Sequence, residues 1–205
     1  MSNKTWYTAL TGLAFLIVVI IGFGVSGDEI TATKDSAAQV VKQYHDDHTQ
    51  QWISAFLEVL ASALLVYFGA HLRRAFAVGD TIAPVIFAGT ITIAIGLAFD
   101  ASVTVALLDA TDKPKVAIDP GAIQALALLY NNDFMPMVLG TALYGTSVGI
   151  ATLKYGVLPK WLGVIAILLG IVAITPIGFV GFIGMGVWTG IASVVLALRT
   201  KNATA

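Results

Sequence analysis

Charged side chains are scarce in this sequence of 205 residues. Asp, Glu, Lys and Arg make up 11% of it, whereas hydrophobic residues make up 58%. Soluble domains carry about 25% charged residues, which they need to cover their surface. The composition therefore excludes an ordinary soluble enzyme, a disordered tail and a nucleic-acid-binding protein, and it predicts that the lipid bilayer surrounds most of the surface.

Cysteine is absent, which excludes disulfide bonds, thiolate metal sites and cysteine nucleophiles. The sequence also lacks a P-loop and the motifs G-x-S-x-G and H-E-x-x-H. The long apolar runs contain no lysine that could form a retinal Schiff base, and their only histidine, His71, lies at the end of a run. We therefore expect no cofactor, apart from the zinc ion considered below.

Six apolar runs are present, and most of them reach the length of about 20 residues that crosses a membrane as a helix. They predict an all-α fold, in which residues 1–205 form a single transmembrane domain. This domain is a polytopic transmembrane helical bundle of about six spans. The predicted spans are residues 6–25, 52–71, 82–108, 134–153, 161–174 and 178–198, and the longer loops are 26–51 and 109–133.

Basic residues indicate the orientation, because cytoplasmic loops carry an excess of Lys and Arg near the span ends. With six spans, one side receives Lys4, Arg73, Arg74, Lys154, Lys160, Arg199 and Lys201. The other side receives Lys34, Lys42, Lys113 and Lys115, diluted by acidic residues. The sequence therefore predicts that both termini are cytoplasmic and that the two longer loops lie outside.

Val25, Ser26 and Gly27 resemble a signal-peptide cleavage site, and cleavage there would leave five spans with the N terminus outside. The apolar run before this site has about 17 residues, which is long for a signal peptide. Only Lys4 precedes that run as a basic residue. We therefore expect the first span to be retained.

Both outer loops are predicted to contain a short helix. In residues 33–48 apolar residues recur at helical spacing, and charged residues lie on the opposite face. This pattern predicts an amphipathic helix with Thr33 as its cap. This helix is either a lid or partner surface, or a helix that rests on the bundle or on lipid headgroups. Residues 121–130 are apolar but too few to span, so they form a re-entrant or interfacial helix, or else the beginning of a longer fourth span.

Acidic residues inside the spans are the strongest functional signal, because each costs about 2.5–3.5 kcal/mol at the bilayer centre on insertion scales. Glu58 lies about 9 Å and Asp100 about 12 Å below the outer border at 1.5 Å per helical residue. Asp133 lies at or inside the start of the fourth span. Small and polar residues share the helical faces of Glu58 and Asp100, among them Ser62 and Thr104.

These five residues form the predicted polar site, and two interpretations of it stay open. In the first, Glu58 and Asp100 lie at the base of a cavity that opens to the outside. Two neighbouring carboxylates do not both ionise easily there, which suits proton coupling or cation binding. In the second, the carboxyl pair only holds the helices together through hydrogen bonds.

His45 and His48 lie three residues apart in the first outer loop, just before the second span. On a helix they share a face, so they are a candidate metal pair for Zn²⁺ or Cu²⁺. No third ligand is evident from the spacing. The alternative, which we prefer, is a polar helix end at the membrane surface.

Three segments carry a resemblance to a known group of proteins. They are Tyr44-His45 before the second span, Leu72-Arg73-Arg74 after it, and the run from Leu158 to Gly163 that enters the fifth. The chain resembles a broad group of small, uncharacterised bacterial integral membrane proteins with about six helices. The resemblance implies a multi-pass protein of the bacterial plasma (inner) membrane, and it carries no active-site residues.

Three functions follow as expectations. We expect first an accessory, regulatory or assembly role, in which the helices and outer loops contact a protein partner or a second copy of the chain. The alternatives are a small proton- or cation-coupled transporter or channel-like protein that uses Glu58 and Asp100, and a membrane enzyme with an outer-face site of His45, His48 and Glu58.

Overall fold

The structure is a computed structural model that describes residues 6–26, 35–77, 81–112 and 119–202. Helices account for 88% of these described residues, which contain no strand. The helices in this part of the chain are α1 (Trp6–Ala9), α2 (Thr11–Val25), α3 (Ala37–Asp46), α4 (His48–Ala75), α5 (Ile82–Asp112), α6 (Pro120–Tyr130), α7 (Met135–Tyr155), α8 (Lys160–Ala173) and α9 (Gly178–Asn202). The predicted all-α class is confirmed.

Within the described ranges, five helical segments are long and apolar enough to cross a membrane: Trp6–Val25, His48–Ala75, Ile82–Asp112, Pro120–Tyr155 and Gly178–Lys201. They indicate a multi-pass membrane protein. The fifth predicted span corresponds to α8, which has 14 residues. At 1.5 Å per residue α8 is about 21 Å long, shorter than the hydrocarbon core of about 30 Å.

The helix predicted in the first outer loop is present as α3, and it begins later than its predicted cap. Ser36 Oγ accepts a hydrogen bond from the Gln39 backbone N–H, and Gln39 Oε1 accepts one from the Ser36 N–H at 2.7 Å. This reciprocal capping box satisfies two backbone donors at the helix start. The predicted cap Thr33 lies outside the described residues, as do Gly27 of the cleavage site and the basic residues Lys4, Lys34, Lys113 and Lys115.

The apolar run 121–130 forms α6, a helix separate from α7. Asp119 Oδ1 accepts a hydrogen bond from the Gly121 N–H at 2.6 Å, and Pro120 occupies the first turn, where its missing N–H costs nothing. A turn over residues 131–134 then separates α6 from α7. Two helices, with Asp133 in the turn between them, therefore occupy the stretch from 120 to 155.

Glycine allows the helices of the bundle to approach closely. Gly89 and Gly140 lie at the α5–α7 contact, where a Cβ atom on either would collide with backbone of the facing helix. Gly145 and Gly149 of α7 pack in the same way against α8. Small residues at such contacts let helices associate in lipid, where van der Waals packing replaces the hydrophobic effect as the driving force. Gly156, with φ of +69°, ends α7 in the left-handed conformation.

A buried aromatic pair connects α7, α8 and α9 in the interior. Trp188 Nε1 donates to the Leu162 carbonyl at 2.8 Å, and its ring meets Tyr144 edge-on with centroids 5.8 Å apart. The hydroxyl groups of Tyr144 and Thr189 are 3.2 Å apart and share a hydrogen bond. The polar ends of both aromatic side chains are thereby satisfied inside the bundle.

The close α5–α7 contact gives a first prediction. Gly140→Ala places a Cβ atom 2.6 Å from the Ile93 backbone nitrogen and 2.8 Å from the Gly89 carbonyl oxygen, so the helices must separate. We expect the free energy of unfolding to fall by about 1–3 kcal/mol, as for other overpacked sites. The measurement is thermal or denaturant unfolding of the purified protein in detergent.

Gly24→Ala is the matched control, because Gly24 is also helical and has nothing within 4 Å of an added Cβ atom. Both substitutions change helix propensity in the same direction. Equal stability of the two variants would mean that α5 and α7 are far enough apart at Gly140 to accommodate a Cβ atom.

Candidate functional site

Glu58 and Asp100 lie at the same level because α4 and α5 form an antiparallel pair. Toward one end of the pair, Gly69 packs against Thr90. Toward the other, His48 Nε2 lies 2.6 Å from Asp112 Oδ2. Between these contacts Glu58 and Asp100 lie within electrostatic range of each other. A shared site of the two carboxyl groups stays a prediction.

Asp133 is brought to Asp100 by the register of α5 against α7. Three contacts mark that register: Gly89 with Tyr144, Ile93 with Gly140, and Gly96 with Met137. Four residues further along α5 comes Asp100, and four residues before Met137 comes Asp133. Their carboxyl groups lie close to each other, and a hydrogen bond between them needs a proton on one of them because an ionised carboxylate only accepts.

Asp133 is held in the interior although it belongs to a turn and not to a helix. Its residue surface is only 6% exposed, and among the described residues no partner meets its buried Oδ2 atom. Irregular backbone at membrane depth is tolerated where protein buries it or a cavity lies beside it. The interruption between α6 and α7 therefore serves to turn an acidic side chain toward the bundle, where a continuous helix would present a different face.

Tyr44 adds a phenol group from α3 to the carboxyl cluster, which we define as Glu58, Asp100 and Asp133. Tyr44 is fully buried, and its hydroxyl lies beside Thr104. Within the described part of the chain, no group meets this hydroxyl in hydrogen-bonding geometry. Burial, followed by the neighbouring Asp100, raises the pKa of Tyr44 above its usual range, so the group keeps its proton.

Tyr130, the last residue of α6, also lies within electrostatic range of the three carboxyl groups and of Tyr44. The sequence analysis missed both tyrosines as site residues. A signal for Tyr44 was its place on the apolar face of an amphipathic helix, because a buried tyrosine hydroxyl normally needs a polar neighbour. Nothing comparable marked Tyr130, since its helix is apolar nearly throughout.

Ser62 and Thr104, the two hydroxyl residues of the predicted polar site, make different contacts. Ser62 Oγ donates to the backbone carbonyl of Glu58 at 2.9 Å, so it serves the helix backbone and not the carboxyl group. Ser54, one turn before Glu58, instead donates to Glu58 Oε1 at 3.4 Å. Thr104 lies beside Tyr44, as described above. Ser54 therefore contacts the Glu58 carboxyl group, and Thr104 contacts the neighbouring Tyr44. Ser62 makes no contact with the carboxyl group among the described residues, because its hydrogen bond goes to the helix backbone.

The two histidines of the candidate metal pair, His45 and His48, have different surroundings. His48 is bound to Asp112 and joins the start of α4 to the end of α5, whereas His45 is exposed on α3. Both partners of the His48–Asp112 pair are more than one-third exposed, so solvent screening leaves the pair little stabilising effect. Among the described residues no group of three or more His, Asp or Glu is arranged to hold a metal ion. The zinc interpretation stays a prediction.

The short helices α3 and α6 form a layer next to the carboxyl cluster, which we call the outer layer because it lies at one end of the long helices. A second buried cluster of side chains joins α3, α6 and the C-terminal end of α5, and its members are Val40, Tyr44, Val103, Leu107, Leu108, Ile123 and Ala127. Gln124 Nε2 of α6 also donates to the Asp35 carbonyl at 3.1 Å, just before α3. The two short helices thus form one packed unit on α5, directly next to the acidic residues.

Comparisons of the chain with protein-family models, with curated proteins and with solved structures found no significant match. The interpretation of the site therefore depends on its geometry and chemistry alone.

Tyr44 gives a second prediction. Tyr44→Phe removes a buried hydroxyl that has no partner in the described residues, and with it the desolvation cost of that group, so we expect the free energy of unfolding to stay equal or to rise by about 1 kcal/mol. Tyr144→Phe is the matched control, because it breaks the hydrogen bond to Thr189 and costs about 1 kcal/mol. Thermal unfolding in detergent compares the two variants. An equal loss at both positions would mean that the Tyr44 hydroxyl is hydrogen-bonded after all.

Proposed function

We propose that this protein is a small proton-coupled transporter or channel-like protein, in which Glu58, Asp100 and Asp133 bind and release protons. The observation that carries the proposal is the meeting of three carboxyl groups, from α4, α5 and the α6–α7 turn, next to two tyrosines. Ionisable residues inside membrane spans are costly and typically lie on ion or proton pathways.

Charge balance supports the proton as the coupling ion. The charged groups that act on Glu58 are Asp100 and Asp133, and both are acidic. Burying such like charges without compensation costs several kcal/mol, so a cation must accompany them. A proton needs no ligand shell, and it lets two neighbouring carboxyl groups share a hydrogen bond.

The position of the cluster supports transport more than simple helix association. The cluster and its two neighbouring tyrosines come from four helices and one turn, so a movement of α3 or α6 changes the surroundings of the carboxyl groups. An element that has two arrangements with different proton affinities is the physical requirement for coupling. A pair that only held two helices together would not need the tyrosines of the outer layer.

Proton flux tests this function. We expect wild-type proteoliposomes to conduct protons down an imposed pH gradient, and Asp100→Asn to lower the flux about tenfold or more, in line with other positioned proton-transfer groups. The Asn amide is able to donate a hydrogen bond to Asp133, so we expect the fold to be retained. A pH-sensitive dye inside the vesicles records the flux.

Asp109→Asn is the matched control, because Asp109 is exposed on the same helix and lies outside the cluster. We expect its flux to equal that of the wild type. The proposal fails if the wild type conducts no better than protein-free vesicles, or if Asp100→Asn and Asp109→Asn conduct equally.

The proposal includes six crossings, with α8 as the fifth, in a bacterial plasma membrane with both termini cytoplasmic. The antiparallel packing of α8 between α7 and α9 supports this arrangement. Arg199 Nη1 of α9 donates to the Val157 carbonyl at 2.6 Å, so the end of α9 lies at the start of α8. Lys154, Lys160 and Arg199 therefore lie toward one end of the bundle, as expected of the cytoplasmic side.

Single-cysteine labelling tests the topology, because the natural sequence has no cysteine. In intact cells we expect a membrane-impermeant maleimide to label Ala38→Cys on α3 and to spare Tyr7→Cys and Lys201→Cys, all three of which are exposed positions. Permeabilised cells, in which all three should react, are the control. Labelling of only one of positions 7 and 201 from outside would mean an odd number of crossings.

The other two functions stay predictions. An accessory or assembly role, with a protein partner or a homo-oligomer, would be favoured by a partner that copurifies in constant ratio. A membrane enzyme would be favoured by an activity that is lost when His45 and His48 are replaced.

A further inference from the structure

A small cavity borders the carboxyl cluster between α2, α4 and α5. Its volume is about 10 Å³, which is room for roughly one group of the size of a water molecule. Its polar lining is Glu58, and its apolar lining is Val18, Val19, Gly22, Phe23 and Leu97. Phe23 is half exposed, so the apolar wall continues to the outer surface of the bundle.

The Glu58 carboxyl group, which lines this cavity, has oxygen atoms that can accept further hydrogen bonds. Its Oε1 atom accepts only a long hydrogen bond of 3.4 Å from Ser54, whose hydroxyl also donates to the Gly22 carbonyl at 3.3 Å. Its Oε2 atom is buried without a partner among the described residues. The fully buried Tyr44 hydroxyl and Asp133 Oδ2 are likewise without partners in that part of the chain. A buried carboxylate oxygen is normally hydrogen-bonded, so these atoms mark a place for a donor.

The lining determines which donor fits. The group against Glu58 must be no larger than a water molecule, and a positive charge on it would balance the acidic neighbours of Glu58. A primary ammonium group meets both conditions, because it is compact, charged and a donor of three hydrogen bonds. The remainder of the molecule must be apolar, because the other lining residues are hydrophobic.

We infer that this cavity binds the ammonium group of a hydrophobic primary amine, with the Glu58 carboxylate as counter-ion and the α2 side chains against the alkyl chain. The inference rests on the proposed function and names its substrate class. Binding exchanges one cation for another: the charged amine enters, the cluster gives up one proton, and the net charge of the site is unchanged. Amine binding should therefore release a proton.

Calorimetry with hexylamine as the probe tests the inference on the purified protein in detergent at neutral pH. We expect saturable binding and, from titrations in two buffers that differ in ionisation enthalpy, the release of a proton. Hexanol lacks the charge, and hexyltrimethylammonium has a head group too large for the cavity. We expect the affinity of both compounds to be at least about tenfold lower than that of hexylamine, because neither forms the charge-assisted hydrogen bond.

Two substitutions locate the site. Glu58→Gln removes the counter-ion. Gly22→Leu fills the cavity, and its Cβ atom is tolerated because it lies 3.6 Å from Leu57 Cβ, an ordinary contact. Gly24→Leu is the matched control on the same helix, with nothing within 4 Å. We expect hexylamine affinity to fall about tenfold in the first two variants and to stay unchanged in the control.

The outcomes separate this inference from the proposed function. If the wild type conducts protons but does not bind hexylamine, or binds it no better than hexanol, the inference is overturned and the proposed function stands. Equal binding by Gly22→Leu and Gly24→Leu, which is partition into the micelle, also overturns it. If the wild type binds hexylamine at Glu58 without proton release and conducts no protons, the binding site stands and the proton coupling of both is overturned.

Discussion

The close contact between α5 and α7 determines where the acidic residues of the interior meet. Gly89, Gly96 and Gly140 remove the side chains that would otherwise hold the two helices apart. The register that results brings Asp100 level with Asp133, and the α4–α5 pairing brings Glu58 to the same level. Without this glycine contact the three carboxyl groups would face different surroundings, and no shared site would exist.

The carboxyl cluster in turn explains the outer layer. Tyr44 and Tyr130 bring phenol groups within electrostatic range of the cluster from α3 and α6. The apolar faces of the same helices pack on the C-terminal end of α5. The layer therefore both covers the acidic groups and shares their electrostatic environment. The fully buried Tyr44 argues against the interpretation in which α3 only rests on the bundle or on lipid headgroups.

Much of the fold follows from the sequence, because helix formation in lipid is dictated by the length of an apolar run. The predicted span 6–25 covers α1 and α2 together, and the predicted span 134–153 agrees closely with α7. The ends of α4, α5 and α9 were less predictable, because these helices extend beyond their apolar runs into polar residues. The start of α3 was misjudged because Thr33 and Ser36 are both good caps, and the reciprocal bonds with Gln39 decide between them.

The sequence by itself determined that the protein is helical and apolar and that Glu58, Asp100 and Asp133 are out of place in lipid, because composition and spacing alone carry that information. Only the tertiary structure decided which groups surround these acids. Helix register and the turn at 131–134 depend on contacts between segments far apart in the chain. Those contacts brought Tyr44 and Tyr130 to the acidic residues, which helical spacing alone does not reveal.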